Sequence, residues 1–580
     1  MSLLLRTAAI RAMEQRAIAD GAHLMERAGR AAANAARLML ASASHHPARV
    51  LVLAGPGNNG GDAFEAAVHL MQWGFDVHVC FASDAARLPP DAAAAHAKWR
   101  AAGGQCSTAL PANLDVNLVV DGLFGIGLTR AIASPYSEWI AAINAAHLPV
   151  LALDVPSGLN ADTGNIAGVC LQAARTLTFI ADKPGLHTLN GPDCAGAVEV
   201  TALGLRDAAL TTVHDSARNP AAMPAPEMLA HAAAPTPNVS GHLTSHADFA
   251  TLLAPRLRNT HKGSFGTLGI IGGAPGMAGA ALLAGRAALK LGAGKVWIGL
   301  LDERGPAVDL QQPELMLRRA DELDLAQCSA LAAGPGMGTG ATARACLAAA
   351  IATPVPLLLD ADALNLTGSD SALASAVMQR SAATLLTPHP QEAARLLGCS
   401  TAEVQADRVA AACALAQRFH ACVVLKGAGS VIASSAPSLH CDWWINPTGN
   451  PGMASPGMGD VLSGIAGALL AQFSTSDAPV TVGTSHSIST TALQALVGAV
   501  FLHGAAADYL VAQGIGPTGL TASEVIDAAR RLWSGWCAEA SSADERMCGF
   551  GSLSHLRNET ARVQQRVVDT FRVIEPADRT

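Results

Sequence analysis

Short runs of β-branched and leucine residues recur along this chain, and each is followed by a longer stretch with helical spacing. From Arg49 onward the runs are Val50 to Ala54, Asp76 to Phe81, Leu118 to Asp121, Val150 to Asp154 and Thr176 to Phe179. Strands that are apolar on both faces and alternate with helices predict a parallel, buried sheet. A helix-compatible segment from Ala8 to Leu40, broken near Gly21, precedes them and is expected to pack on that sheet. A second series follows: Leu268 to Ile271, Val296 to Leu300, Leu331 to Ala333, Leu357 to Leu359, Thr384 to Thr387 and Val423 to Leu425. The predicted class is α/β with two domains.

Between Asp207 and His246 the pattern dissolves into Pro, Ala, Ser, Asn and His, the texture of an interdomain linker. The expected divisions are a first domain over 1–212, a linker over 213–242, a second domain over 243–535 and a polar tail over 536–580. A Ser/Thr-rich insert, Ser474 to Thr491, interrupts the late helices of the second domain.

Composition narrows the function classes. The 580 residues carry 38 basic and 46 acidic side chains, and 14% are charged, against roughly 25% in an average soluble protein. That argues against a disordered chain or a polybasic nucleic-acid partner. Half the residues are hydrophobic but only 4% aromatic, with 55 glycines, which suits small-residue helices packed closely on sheets. Gly, Pro or a charge interrupts each apolar run before the roughly 20 residues a membrane span needs, so no membrane partner is expected. Arg6, Arg11 and Glu14 come before any export-like apolar stretch, which makes the cytoplasm the default. The 12 cysteines follow no metal-binding spacing and read as small buried hydrophobes in a reducing compartment.

Chemistry concentrates at strand ends. Val50 to Ala54 runs into Gly55-Pro56-Gly57-Asn58-Asn59-Gly60-Gly61-Asp62 and then a helix. Glycines there admit a ligand to the backbone, and a helix start supplies amide donors to an anion. The alternative is an ordinary strand-to-helix turn, although a turn alone rarely needs two Asn and an Asp. Asp121-Gly-Leu-Phe-Gly-Ile-Gly and Asp154-Val-Pro-Ser157-Gly-Leu follow later strands. Ligands bind at the carboxyl ends of parallel strands, so these oxygens are placed to converge on one crevice. Asn59, Asp121 and Ser157 offer hard oxygens suited to an alkali or alkaline-earth cation; helix or turn capping is the competing role for Asp121 and Asp154.

In the second series, Asn450-Pro-Gly-Met-Ala-Ser-Pro-Gly457-Met-Gly459-Asp460 passes from a Gly-rich loop into a small-residue helix. Amides at that start suit phosphate oxygens, and Asp460 is placed to take a proton from an alcohol attacking phosphorus. An N-cap role for Asp460 fits the same position but not the glycines. Lys426-Gly427-Ala428-Gly429-Ser430, Gly334-Pro-Gly336-Met-Gly338 and Thr387-Pro-His389-Pro-Gln-Glu392 also stand at strand ends, and flanking prolines leave His389 open to a structural role. Asp360-Ala-Asp362-Ala-Leu-Asn365 supplies carboxylates that either hold magnesium or cap the next helix.

Leu24-Met25-Glu26-Arg27-Ala28-Gly29, GPGNNGGD, DGLFGIGL and DVPSGLNADTG resemble the N-terminal YjeF domain, the NAD(P)HX epimerase family, over roughly residues 5–205. The resemblance implies a Rossmann-like three-layer parallel sheet with potassium on Asn59, Asp121 and Ser157. It implies contact with the hydrated nucleotide through Asn58, Asn59, Gly60, Gly61, Asp62, Gly125, Ile126, Gly127, Leu128, Thr129, Arg130, Ala131 and Asp154. Asp154, the carboxylate not assigned to the cation, is the candidate acid or base. Ala63-Phe64-Glu65 departs from the usual small residues and leaves the local pocket shape open.

His261-Lys262-Gly263, GGAPGMAGA, GPGMG, DADALN, TPHPQEAARLLG, KGAGS and NPGMASPGMGD resemble the ribokinase-like NAD(P)HX dehydratases over roughly residues 245–535. This implies an α/β/α domain with Ala280, Gly336, Gly338, His389 and the catalytic Asp460 toward the hydrate. Lys426, Gly427, Ala428, Gly429, Ser430 and Gly459 would face ADP or ATP, used with Mg²⁺. Ser430 replaces a usual Thr but keeps the hydroxyl, and Pro456 replaces a usual Gly. Together the resemblances imply epimerisation of R and S NADHX and NADPHX, then dehydration of the S form, by a homo-oligomer. The rival reading is a vitamin or sugar kinase fused to a noncatalytic nucleotide-binding domain.

Overall fold

Along strand β2 (Arg49–Ala54), Val50, Val52 and Ala54 enter one hydrophobic core while Leu51 and Leu53 enter another. A strand apolar on both faces must be covered on both faces, which makes three layers. The computed structural model describes residues 3–41, 47–128, 130–205, 240–435, 441–474 and 488–547, and the chain divides into two compact units between Leu243 and Thr244.

In the first unit β2 lies in a parallel sheet with β3 (Asp76–Cys80), β4 (Cys106–Ser107), β5 (Leu118–Gly122), β6 (Val150–Leu153), β7 (Arg175–Phe179) and β8 (Ala197–Thr201). Their order is β4-β3-β2-β5-β6-β7-β8. The chain winds outward from β2 in one direction and from β5 in the other. Ligand crevices in such sheets open where the order reverses, and here that point carries the GPGNNGGD and DGLFGIG loops. Helices Thr7–Ala19 and Leu24–Met39 occupy the expected segment, with the break beside Gly21 at φ 85°.

The expected boundaries shift at two places. Residues 213–239 of the linker lie outside the described residues, but Ser240–Leu243 is a strand, β9, paired antiparallel with β1 (Leu3–Leu5). Neither is long enough to show alternation in sequence. At the other end, helix Ala522–Met547 runs through the expected start of the tail. Trp536 is buried, its ring 6.1 Å from that of Phe249 and 5.9 Å from that of Phe501. The tail beyond Met547 and most of the Ser474 to Thr491 insert also lie outside the described residues.

The second unit has the order β18-β17-β16-β15-β14-β13-β10-β11-β12 among the described residues. β10 (Thr267–Gly272), β11 (Lys295–Leu300), β12 (Met316–Arg319), β13 (Ala330–Ala333), β14 (Leu357–Leu359), β15 (Thr384–Leu386) and β16 (Cys422–Leu425) are parallel. β17 (Val431–Ser435) and β18 (Cys441–Ile445) turn back antiparallel. Helix Ile488–Ala512 amends the reading of broken apolar runs: its Thr491–Ala512 stretch is 22 residues long with mean hydropathy 1.6 and passes through Gly498 and Gly504 without breaking. Two thirds of it is buried inside the fold; a β-carbon at Gly498 would stand 3.2 Å from the Phe249 ring. It is long and apolar enough to cross a membrane, and here it is a core helix.

Candidate active sites

The first candidate site assembles where β2, β5 and β6 end. Asp121, fully buried at the end of β5, accepts the Ser157 hydroxyl at 2.7 Å, the Ser157 amide at 2.8 Å and the Leu123 amide at 3.2 Å. Burial pushes its carboxyl up to about 6, against the pull of those three bonds. Asn59 sits in the first turn of helix Asn58–Gln72 with Asn58, Gly60 and Gly61; Asp62 follows. Its side chain is 9% exposed, and neither Oδ1 nor Nδ2 has a hydrogen-bond partner. A buried amide left unmatched is costly, so this side chain is organised for a group that completes it.

Asp154 has φ 67° and is buried. Its Oδ2 accepts the Ile126 amide at 3.0 Å and its Oδ1 meets the Lys183 ammonium at 2.8 Å. A β-carbon at Gly125 would lie 2.8 Å from Asp154 Oδ2 and 3.4 Å from Asn59 Cγ, so only glycine lets the loop pass between those side chains. Asp62 is raised well above the usual carboxylate range by burial and then by the charges of Asp154, Glu14 and Glu65. Gly125 and Ile126 thus lie against Asp154, and Gly127 follows them. Leu128, Arg130 and Ala131 line an adjoining cavity of about 590 Å³ with Phe124 and Tyr136, and Thr129 lies outside the described residues. The Ala63-Phe64-Glu65 departure points elsewhere: Phe64 packs on Phe81 at 5.4 Å, and Glu65 meets Lys98 at 2.7 Å.

The second candidate site gathers at the ends of β14, β15 and β16. Asp360, 1% exposed, accepts from Lys426 Nζ at 2.8 Å and Thr387 Oγ1 at 2.7 Å through one oxygen, and from Ser463 Oγ at 2.8 Å through the other. Burial alone would raise its carboxyl, yet Lys426 and the hydroxyls hold it below the ordinary value. The capping role considered for Asp360 needs correction: it makes no side-chain capping bond to helix Ala361–Ser369. Asp362 accepts the Gly338 amide at 2.8 Å, where Gly338 takes φ 68°.

Asp460 stands in the first turn of helix Met458–Phe473, which begins at Gly457 with φ 88° and has no side-chain cap. Burial and the charges of Asp360 and Asp362 push its carboxyl up to about 6, with Lys426 opposing. A β-carbon at Gly459 would lie 3.5 Å from Lys426 Nζ, so the helix start stands beside that ammonium. Ala280 and Gly336 meet where β10 and β13 diverge, their β-carbons separated by 3.0 Å if Gly336 had one. Gly427, Ala428, Gly429 and Ser430 form the turn between β16 and β17, closed by the Ser430 hydroxyl donating to the Gly427 carbonyl at 3.0 Å. His389 is a helix cap: its Nδ1 accepts the Gln391 and Glu392 amides at 3.1 and 3.3 Å. Burial and Lys426 lower its pKa, so the ring is neutral in that role.

Two participants were given no role in the sequence reading. Lys183, fully buried, touches Asp154 and also donates to Thr178 Oγ1 at 2.6 Å and the Phe179 carbonyl at 3.0 Å. Glu392, raised to about 7 chiefly by burial, stands 4.0 Å from Lys426. Lys183 lies within an unpatterned Ala-Asp-Lys-Pro stretch, whereas Glu392 could have been found as the acidic residue three places after His389.

Residues 21–185 match the family described as YjeF-related protein N-terminus, and residues 268–531 match the family described as NAD(P)H-hydrate dehydratase. A bifunctional NAD(P)H-hydrate repair enzyme from Coxiella burnetii is 36% identical over 92% of this chain and 99% of its own. One from Escherichia coli is 38% identical over 88% of this chain and 89% of its own. The chain belongs to the bifunctional NAD(P)H-hydrate repair enzymes. A structure of ADP/ATP-dependent NAD(P)H-hydrate dehydratase from Bacillus subtilis, co-crystallised with ATP and Mg²⁺, is 28% identical, covering 51% of this chain and 99% of its own at a TM-score of 0.42. Within that family, the first unit carries the YjeF match and the second the dehydratase match.

Proposed function

We propose that the first unit interconverts the R and S hydrates of NADH and NADPH and that the second removes water from the S form with ADP or ATP. The observation that carries the second assignment is Asp460 at the open start of a helix, facing Lys426 and a buried Asp360. Hydroxide leaves carbon poorly. The hydrate hydroxyl therefore attacks the terminal phosphorus of the nucleotide as Asp460 takes its proton, forming an O–P bond and releasing the shortened nucleotide. Phosphate then departs as the ring nitrogen supplies an electron pair, and loss of a ring proton gives the dihydronicotinamide. At a pKa of about 6 Asp460 is mainly ionised at neutral pH and can accept that proton. Lys426, Gly459 and the Gly427 to Ser430 turn face the nucleotide, with Ala280, Gly336, Gly338 and His389 toward the hydrate.

In the first unit the unmatched Asn59 amide, the buried Asp121 carboxylate and the Ser157 hydroxyl form a hard-oxygen set that fits potassium. Bound there, the ion would supply fixed positive charge beside the substrate. Asn58 to Asp62, Gly125 to Ala131 and Asp154 hold the nucleotide, with Asp154 as acid or base. Magnesium would enter with the nucleotide phosphates rather than in a protein cage, the usual behaviour of this ion; among the described residues no group of three or more His, Cys, Asp or Glu is arranged to hold a metal ion. A cytoplasmic location and homo-oligomeric assembly belong to the same proposal. Incubating the protein with mixed R and S NADHX plus ADP or ATP, while following NADH absorbance and phosphate release, tests it. NADH and phosphate should appear in equal amounts; nucleotide consumption without NADH would favour the kinase reading.

A further inference from the structure

The first unit holds a carboxylate that neither its motifs nor the assignment above uses. Glu14 lies in helix Thr7–Ala19, which buries Ala9, Ile10, Met13 and Ala17 and leaves Glu14 half-buried. The helix is pinned at its start, where Thr7 donates its amide and hydroxyl to Asp162 at 2.7 and 2.9 Å. Just before it, the Leu5 amide donates to the Asp182 carbonyl at 2.9 Å, beside Lys183. Arg11, one turn before Glu14 on the same helix face, reaches to 3.8 Å from where a Gly127 β-carbon would stand. The Gly125 to Gly127 stretch therefore has Asp154 against its first residue and this helix against its last.

The groups acting on Glu14 are Asp154, Lys183 and Arg11, and Glu14 acts in turn on Asp62. Asn59, nine-tenths buried with both amide atoms unmatched, stands with Asp154 against Gly125. Burial and then Asp154 raise the Glu14 carboxyl, with Lys183 and Arg11 opposing. Asp154 instead meets the buried Lys183 ammonium at 2.8 Å. Two carboxyl groups in unlike surroundings are the usual basis for dividing acid and base work.

We propose that Glu14 is the second acid–base group of the epimerase site, working with Asp154 on the bound ring. The inference rests on the epimerase reading above. R and S hydrates carry their hydroxyl on opposite faces of one ring carbon, so inversion needs a proton donor at one face and an acceptor at the other. The acid gives its proton to the hydroxyl, the carbon–oxygen bond breaks, and water leaves as the ring nitrogen forms a double bond to that carbon. A water then adds from the opposite face, its proton passing to the second carboxylate. The ring's atoms and charge are restored, and the reverse reaction exchanges the two roles.

Omitting nucleotide silences dehydration, so the approach of pure R-NADHX to the R/S mixture can be followed alone by chromatography. Glu14→Gln should slow it by about a hundredfold or more, the scale of general acid–base contributions, while dehydration of S-NADHX with nucleotide stays at the wild-type rate in the same chain. Glu14→Asp should recover part of the lost rate. Equilibration by Glu14→Gln within a few-fold of wild type would overturn the role of Glu14 alone. Failure of the wild-type chain to equilibrate R-NADHX would overturn the epimerase reading and this inference with it.

Discussion

Lys426 and Asp360 are 66 residues apart in sequence and 2.8 Å apart in space, with β15 between the strands that deliver them. Asp360 meets the Lys426 ammonium through one carboxylate oxygen, and Glu392 stands 4.0 Å from it. Removing one member of such a buried pair leaves the other uncompensated, a loss of about 3–5 kcal/mol. Asp360→Ala should accordingly lower the stability of the second unit in denaturant titrations. The Asp360 carboxyl is depressed on folding, so its contribution is present above its unfolded pKa of about 4 and fades as pH falls below it. The stability gap between wild type and variant should narrow in acid; a gap that widens there would contradict the pairing.

Helix Met458–Phe473 starts at Gly457 and Asp460 makes no capping bond, which corrects the N-cap reading, so Asp460→Asn tests catalysis alone. Asn starts a helix about as well as Asp, so melting temperature and nucleotide binding should change little. Dehydration of the S hydrate should fall by about a hundredfold or more if Asp460 is the proton acceptor. A variant with near wild-type turnover would move the base elsewhere, with His389 next to be tested.

Because burial pushes Asp460 up to about 6, the dehydration rate should fall as pH drops through that value and level off above it. Kcat/KM measured between pH 5 and 8 checks the sign. A rate that rises toward acid would mean the group works protonated.

Asp121→Ala removes the one charged oxygen of the proposed potassium set and leaves the Ser157 and Leu123 amides unmatched. Epimerisation of R-NADHX should fall and lose its response to added potassium, while dehydration of the S form is unaffected. A potassium response equal to that of wild type would remove Asp121 from the set.

Pairing of β1 with β9 sets the better cut between the units. A chain ending at Leu243 keeps that pair, and one ending near 212 leaves the Leu3–Leu5 strand without it. The longer fragment should be more soluble and melt higher by differential scanning calorimetry; equal melting would show that the pair adds nothing.

The two parallel sheets were legible because strands buried on both faces have a continuous apolar pattern, and Val50 to Ala54 and Leu357 to Leu359 were placed within a residue or so. Edge and returning strands were not: Ala197–Thr201 has an exposed face, and Cys441–Ile445 is short and pairs antiparallel. Glycine-rich strand ends announced both sites. Contacts set only by the fold stayed hidden, among them Lys183 on Asp154, the hydroxyls of Thr387 and Ser463 on Asp360, and the first helix beside the first site. His389 carries a complete capping arrangement, the structural role its flanking prolines had left open beside a ligand contact.

The central claim is that one chain carries both steps, and chirally pure R-NADHX tests it most directly. Supplied with ADP or ATP, the wild-type protein should convert it fully to NADH after a lag while the S form builds up, and Asp460→Asn should stop at the R/S mixture. R-NADHX left unchanged by the wild-type chain, while S-NADHX is dehydrated, would contradict the account.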